Sequence, residues 1–556
     1  LTNTLAVTPA FYGKDQPGGW GHNIVTGEDA YDGWGRGVRG KLLFDNGAGT
    51  TILLGANYEK GRSGQGQGQR PYPGTYGLNL FNADDLGYYD STSNYGAYFT
   101  SSVKQVNLKV RHDFDNVSVV SITGYGKIDS DSLNDSDGTP ARFLDAHTVH
   151  AVKTFTQEIQ LLSDSSAPVQ WIIGGFYLRD ISTYTPDFAG TAFGPLIGTV
   201  DARQKSWSIA GFAQAAAEIL PRTNMTIGVR YTSDHRRFVG SNTLGTTVRG
   251  PFRDKASWSA LTGRFSLDHK FTDDLMAYVA YNRGFKSGVF NLSGLSPGQS
   301  SLPPPADPET LNAYTAGFKS EFFDNKLRLN VEAYYYAYKN IQVFQSQALS
   351  SGTLITNGGA ARLKGIEAEL SAAPVRNLTI ALSVAFADGE YTDFDLGPKF
   401  FPQPPNETIP IPGPCLVEVP SYPVGTSGQP VVQRPCNLAG NDTIQTPKFA
   451  SNLSVAYRIP SAVGMFDVAA SWAHSSSYYF EPDNNPVLRQ RPTDIVNASL
   501  QWSDVDERYS VRLWAKNLTR EKYINSLVQN ATYYNKFSAA PPRTYGVTLT
   551  ARYGNK

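Results

Sequence analysis

Sulfur and imidazole are scarce in this chain: its 556 residues include 2 Cys, 3 Met and 7 His. No Cys/His set has the spacing of a zinc module. Among the histidines only His147 and His150 are close in sequence, and in an extended segment that spacing does not bring two imidazoles onto one metal. No metal, haem or other cofactor is expected. Charge of one sign is lacking too, since Lys plus Arg and Asp plus Glu come to 49 each, so no global field draws the chain to nucleic acid. Long apolar runs are absent. The richest, WIIGGFYL from Trp171, falls far below the roughly 18 residues that a membrane helix needs. The opening LTNTLAVTPAFYGK has no basic, apolar and small-residue succession, so it is not a signal peptide and reads as the interior of a longer chain. Enzyme signatures are missing as well. GRSGQGQGQR from Gly61 lacks the GK[ST] ending and the following helix of a phosphate loop and reads as a surface loop. No catalytic residue and no enzymatic activity is expected.

What is abundant is aromatic and turn-forming: 31 Tyr, 29 Phe, 8 Trp and 52 Gly, a mixture that favours strands and turns over helix. KLRLNVEAYYYAYKN, Lys326 to Asn340, shows the pattern. Leu327, Leu329, Val331, Ala333, Tyr335 and Ala337 alternate with Arg328, Asn330, Glu332, Tyr334, Tyr336 and Tyr338, which is the period of a strand. The same alternation recurs in VKQVNLKVRHDF, GIEAELSAA and NLTIALSVAFA. Each segment runs about ten to fifteen residues, longer than the usual five or six and enough to cross a bilayer at a tilt. Links alternate between long ones, such as 61–102 and 387–446, and short ones, such as Asp115–Asn116, Pro221–Arg222 and Asp324–Asn325. Counting through gives about 20 strands with every long link at one end, the plan of an outer-membrane barrel. The predicted fold is an all-β, antiparallel transmembrane β-barrel with long extracellular loops and short periplasmic turns. Its apolar faces meet the lipid bilayer. Arg328, Asn330, Glu332, Glu367 and Glu369 point into a polar lumen.

Residues spread over nearly the whole chain resemble the TonB-dependent receptors of the Gram-negative outer membrane. The likeness is carried by YVAYNRGFKSGVFN (Tyr278 to Asn291), PETLNAYTAGFKSEFFDNKLRLNVEAYYYAYKNIQV (Pro308 to Val343) and GGAARLKGIEAEL (Gly358 to Leu370). It continues in TPKFASNLSVAY, VNASLQW, RLWAKNLTREKY and PPRTYGVTLTARY. The resemblance implies a monomeric transporter of the outer membrane, energised by the TonB complex of the inner membrane, that takes up a scarce large solute. Ferric siderophore is the first expectation. Cobalamin, haem or oligosaccharide receptors and a passive porin are the alternatives. The plug, the TonB-contacting box and two of an expected 22 strands are not recognisable in residues 1–556, which read as the barrel domain alone. Two sheet edges should therefore lack partners.

The aromatic loops RPYPGTYG and LGYYDSTSNYGAYF supply candidate ligand contacts: Tyr72, Tyr76, Tyr88, Tyr89, Tyr95 and Tyr98. Aromatic faces suit catecholate rings or sugars, although loop packing uses the same residues. Cys415 and Cys436 flank a Pro-rich polar segment. A disulfide between them is expected in an oxidising compartment and would contribute roughly 3 kcal/mol in the chain-entropy account; the alternative is two separate thiols.

Overall fold

The computed structural model describes residues 4–64, 69–73, 81–190, 196–346, 353–402, 431–486, 488–530 and 534–553. Twenty strands build one sheet in which successive strands pair antiparallel. The first seven are β1 (Leu5–Gln16), β2 (Gly33–Asp45), β3 (Thr50–Ser63), β4 (Tyr98–Asp113), β5 (Val117–Asp135), β6 (Asp145–Ser163) and β7 (Val169–Ala189). The next seven are β8 (Gly198–Leu220), β9 (Thr223–Leu244), β10 (Thr247–Lys270), β11 (Leu275–Lys286), β12 (Glu309–Phe322), β13 (Leu327–Lys339) and β14 (Ala360–Ala372). The last six are β15 (Leu378–Asp393), β16 (Phe449–Ser461), β17 (Gly464–Ser475), β18 (Thr493–Ser503), β19 (Tyr509–Lys516) and β20 (Thr544–Ala551). Alternation predicts this architecture and this strand number. Among the described residues β1 pairs only with β2 and β20 only with β19, so two ladder edges stay open.

At one end the links are tight and their chemistry is local. Asn46 Oδ1 accepts from the N–H groups of Ala48 at 2.8 Å and Thr50 at 2.9 Å, and Asp164 Oδ1 accepts from Ser166 N–H at 2.7 Å. Asp324 and Asn325 take φ values of 54° and 63°, which short polar side chains tolerate better than others do. The opposite end carries the long links, with one exception. Only residues 245–246 join β9 to β10. The reason is strand length: β8, β9 and β10 have 23, 22 and 24 residues instead of ten to fifteen, so the hairpin itself rises where a loop was expected. β19 and β20 have 8 residues each.

Register sorts the side chains. Ala333 pairs with Ile366, Ile366 with Phe386 and Phe386 with Phe449, while a second row on the same face runs from Leu378 through Tyr457, Val468, Leu500 and Leu513 to Val547. These apolar residues share one face and are mostly exposed, Ile366 at 53%, Phe386 at 56% and Val547 at 60%, as a lipid-facing band should be.

The packed cores lie in the loops. Ala30, Tyr31, Phe480, Leu488, Ile524, Leu527, Phe537 and Ala539 form one cluster, and Trp20, Tyr72, Tyr88, Tyr89 and Tyr478 pack against it. The hairpin 524–539 adds residues 70–71 as a third strand, with Lys536 opposite Pro71 and Phe537 opposite Arg70. Cys436 is buried and disulfide-bonded; Cys415, the only other cysteine in the sequence, lies outside the described residues.

Two outcomes test this arrangement. Ile366→Arg, near mid-band on the apolar face, should cost about 2–4 kcal/mol of folding stability in phospholipid vesicles, while Glu367→Gln, one residue on and facing the other way, should change little. Phe537→Ala should cost about 3–5 kcal/mol in the loop core and be read as faster protease cleavage within 64–97 and 517–543.

Candidate functional site

The polar face of β11–β14 collects the residues that sequence periodicity assigns to the lumen. Glu332 stands opposite Glu367, Asn330 opposite Glu369, and Arg328 opposite Ser371. Tyr278 Oη donates to Glu332 Oε2 at 2.5 Å, and Lys319 Nζ lies 5.9 Å from the Tyr278 ring centroid. Tyr334 and Tyr336 stack at 4.8 Å. These rings lie flat on the wall because glycine stands beside them. A Cβ at Gly317 would meet Tyr278 Oη at 2.8 Å, and one at Gly365 would meet Tyr334 Oη at 2.4 Å. Near the short turns Arg328 forms an ion pair with Glu321, Nε to Oε1 at 2.9 Å.

The candidate ligand tyrosines go several ways. Tyr72 and Tyr88 pack on Phe537 with centroids at 5.5 and 5.7 Å, and Tyr89 meets Tyr88 edge-on at 5.1 Å. Their rings hold the loop core together. Tyr98 Oη donates to Asp131 Oδ1 at 3.0 Å. Tyr95 is partly buried, with its hydroxyl pushed up by burial and then by Asp145 and Asp135. Tyr76 lies outside the described residues. His147 contacts Asp131 at 3.1 Å while His150 contacts Ser182 at 2.9 Å, so the two imidazoles do not converge. Among the described residues no cluster of His, Cys, Asp or Glu could hold a metal.

A cavity of about 530 Å³ opens at the mouth, between the upper parts of β1–β4 and the loops 17–32 and 517–543. Tyr12, Trp20, Tyr31 and Phe99 give it aromatic walls, and Lys14 and Arg62 face it together with the carboxylates of Asp32 and Glu59. Trp20 stacks on Tyr31 at 5.4 Å, and Tyr31 Oη accepts from Ala539 N–H at 3.1 Å. Burial pushes the Tyr31 hydroxyl up to about 12, so it stays neutral. Arg62 Nη1 meets Asp32 Oδ2 at 2.6 Å, while Trp20 Nε1 and Asp32 Oδ1 are shielded and make no hydrogen bond among the described residues. The cavity therefore offers ring faces and the Lys14 ammonium, while these two shielded atoms are turned away from its open space. Sequence reading misses this set because its residues come from separated loops with no shared period; the Trp in PGGWGHN was its only visible signal.

Buried charge fastens the loops above. Lys536 Nζ donates to Gln69 Oε1 at 2.9 Å, and Asp135 Oδ1 accepts from Gly138 N–H at 2.9 Å. Burial, then the nearby Asp137, pushes the Asp135 carboxyl up to about 7; burial, then Asp483, pushes Glu481 up to about 8. A carboxyl raised in the folded state keeps a proton that the unfolded chain has lost, so each contributes less stability as pH climbs from the ordinary carboxyl range to its raised value. Lys536 is pushed down by burial and acts in the opposite sense as it discharges. Amide protection in the 524–539 hairpin, corrected for intrinsic exchange, should therefore fall between pH 5 and 8, and Glu481→Gln should flatten that dependence.

Comparison with known proteins agrees with this geometry. The sequence profile of the family described as TonB dependent receptor-like, beta-barrel, matches residues 34–518. The fold is similar to the ferric yersiniabactin uptake receptor FyuA from Yersinia pestis, at 16% identity and a TM-score of 0.76 over 99% of this chain and 75% of that one. It is similar to the siderophore receptor PiuA from Acinetobacter baumannii, at 15% identity and a TM-score of 0.72 over 99% and 78%. It is also similar to the copper transporter OprC, at 12% identity and a TM-score of 0.67 over 98% and 75%. With its profile match, its twenty-stranded up-and-down sheet and its apolar outer band, the chain belongs to the family of TonB-dependent receptors, whose barrels stand in the outer membrane of Gram-negative bacteria.

Proposed function

We propose that this chain forms the wall and mouth of a monomeric transporter that takes up a ferric siderophore, with the TonB complex as its energy-coupling partner. The aromatic cavity at the mouth, with Lys14 among its lining side chains, is the observation that carries the reading. Ferric siderophores of the catecholate type are anionic and present planar catechol rings around an octahedral iron, so ring stacking and a cationic side chain suit them. In this reading Trp20 and Phe99 hold the ligand ring, Arg62 and Lys14 balance its charge, and the tyrosines at 72, 88 and 89 shape the loops that present it. Support also comes from the ferric yersiniabactin uptake receptor FyuA and the siderophore receptor PiuA. OprC, a copper transporter of similar fold, carries a different cargo, so fold alone does not select among cargoes. The apolar band on the described strands favours contact with lipid all along the wall and therefore a single copy.

Uptake of iron-55 siderophores by iron-limited cells expressing the gene should require TonB, and Trp20→Ala with Arg62→Ala should weaken binding by about tenfold or more. Uptake that persists without TonB, together with a steady conductance in planar bilayers, would replace this reading with a passive pore.

A further inference from the structure

The outward face of β5–β10 carries a row of cations that the transport reading does not use. Cross-strand register lines them up: Lys127 pairs with Lys153, Lys153 with Ile181, Ile181 with Lys205, Lys205 with Arg237, and Arg237 with Lys255. Arg179 lies two residues below Ile181 on the same face, opposite Phe155 and Trp207. Arg203 and Arg253 extend the patch upward, both opposite Val239. Every cation among these positions except Lys127 is exposed.

Like charges placed directly across a ladder repel and destabilise the pair, and here four such pairs fall in one row once Lys104 of β4, opposite Lys127, is included. Lys127 has a carboxylate, Asp129 at 2.7 Å. Among the described residues none of Lys153, Arg179, Lys205, Arg237, Arg253 or Lys255 takes part in an ion pair. The same face of β14 and β15 behaves differently. There Arg362 pairs with Glu390 at 2.6 Å and Lys364 with Asp388 at 3.2 Å. The unpaired row is thus peculiar to one flank.

Its depth identifies the counter-charge. Beneath it lies an aromatic and apolar zone that includes Tyr125, Phe155, Trp207, Tyr231 and Leu261, and the Arg237 guanidinium carbon sits 5.1 Å from the Trp207 ring centroid. The cations stand about ten to fifteen residues above the short turns, which at ~3.3 Å per residue and ~40° of tilt is about 25–40 Å. That is where an apolar band of about 25 Å ends and the outer headgroups begin. Strands this long carry the cations up to headgroup level and no further into solvent than a phosphorylated sugar reaches.

We infer that this flank is a binding surface for the phosphate groups of a phosphorylated glycolipid in the outer leaflet, with Lys153, Arg179, Lys205, Arg237 and Lys255 as its ligands. The inference rests on the outer-membrane placement of the barrel but on neither its cargo nor its energy source. Phosphate oxygens would supply the anions that the ladder lacks, and the girdle aromatics would meet the acyl chains below.

The test uses the purified full chain in detergent, titrated with diphosphorylated lipid A, with the same lipid stripped of phosphate, and with inorganic pyrophosphate. Diphosphorylated lipid A should bind at least tenfold more tightly than either comparison. Lys205→Gln/Arg237→Gln/Lys255→Gln should abolish that preference, and Lys364→Gln/Asp388→Asn on the paired flank should leave it intact. Removing like charges relieves repulsion, so the triple variant should fold, as heat-modifiable migration on gels would show. Raising salt from 0.05 to 0.5 M should weaken the wild-type preference, an independent readout that needs no variant. Equal binding with and without phosphate, or a triple variant that binds like wild type, overturns the site. Pyrophosphate binding as tightly as lipid A overturns the lipid as its occupant. Loss of siderophore uptake in cells bears on the transport reading alone, because no cargo enters this titration.

Discussion

Backbone hydrogen bonding in hydrocarbon is the constraint on which this structure depends. An unpaired N–H or C=O facing lipid costs several kcal/mol, so a chain without membrane helices can cross only as laterally paired strands. Every strand between β2 and β19 is paired on both sides in chain order. Once pairing is fixed, the period of two does the rest. It sends Ile366 to one solvent and Glu367 to the other, so a sequence whose overall composition is unremarkable in charge can present an oily exterior and an ionic interior.

Outside the bilayer the constraint changes, because water can satisfy loose backbone groups. Order there must come from packing, and the loops supply it with aromatic clusters and buried charge. Tyr72, Tyr88 and Phe537 come from distant parts of the chain, and so do Lys536 and Asp135. The mouth is therefore a small folded body of its own, held by contacts whose strength depends on protonation, standing over a wall held by contacts that do not.

Strands, turns and the shared face of Arg328, Asn330, Glu332, Glu367 and Glu369 are legible in the sequence because alternation is local and the short turns carry Asp, Asn, Pro and Gly where tight bends need them. The height of β8–β10 is not. Above the membrane both faces meet polar surroundings, alternation fades, and TLGTT gives little sign of a hairpin summit. The fate of the tyrosines is likewise hidden, since ligand contact and loop packing select the same residue type and only tertiary structure separates them. The basic row lies between these cases: each cation is visible, but five strand pairings must be known before Lys127 and Lys255 fall into one line.

The unequal strand heights give the mouth a mechanical bias. On the side of β8–β10 the rim is continuous sheet, and moving it would break many ladder hydrogen bonds together. Around β19 and β20 the sheet stops early and the rim is completed by a hairpin stitched to neighbouring loops. One side is therefore a parapet whose shape the ladder fixes and the other a rim whose shape rests on loop packing, so the two sides of the mouth differ in stiffness.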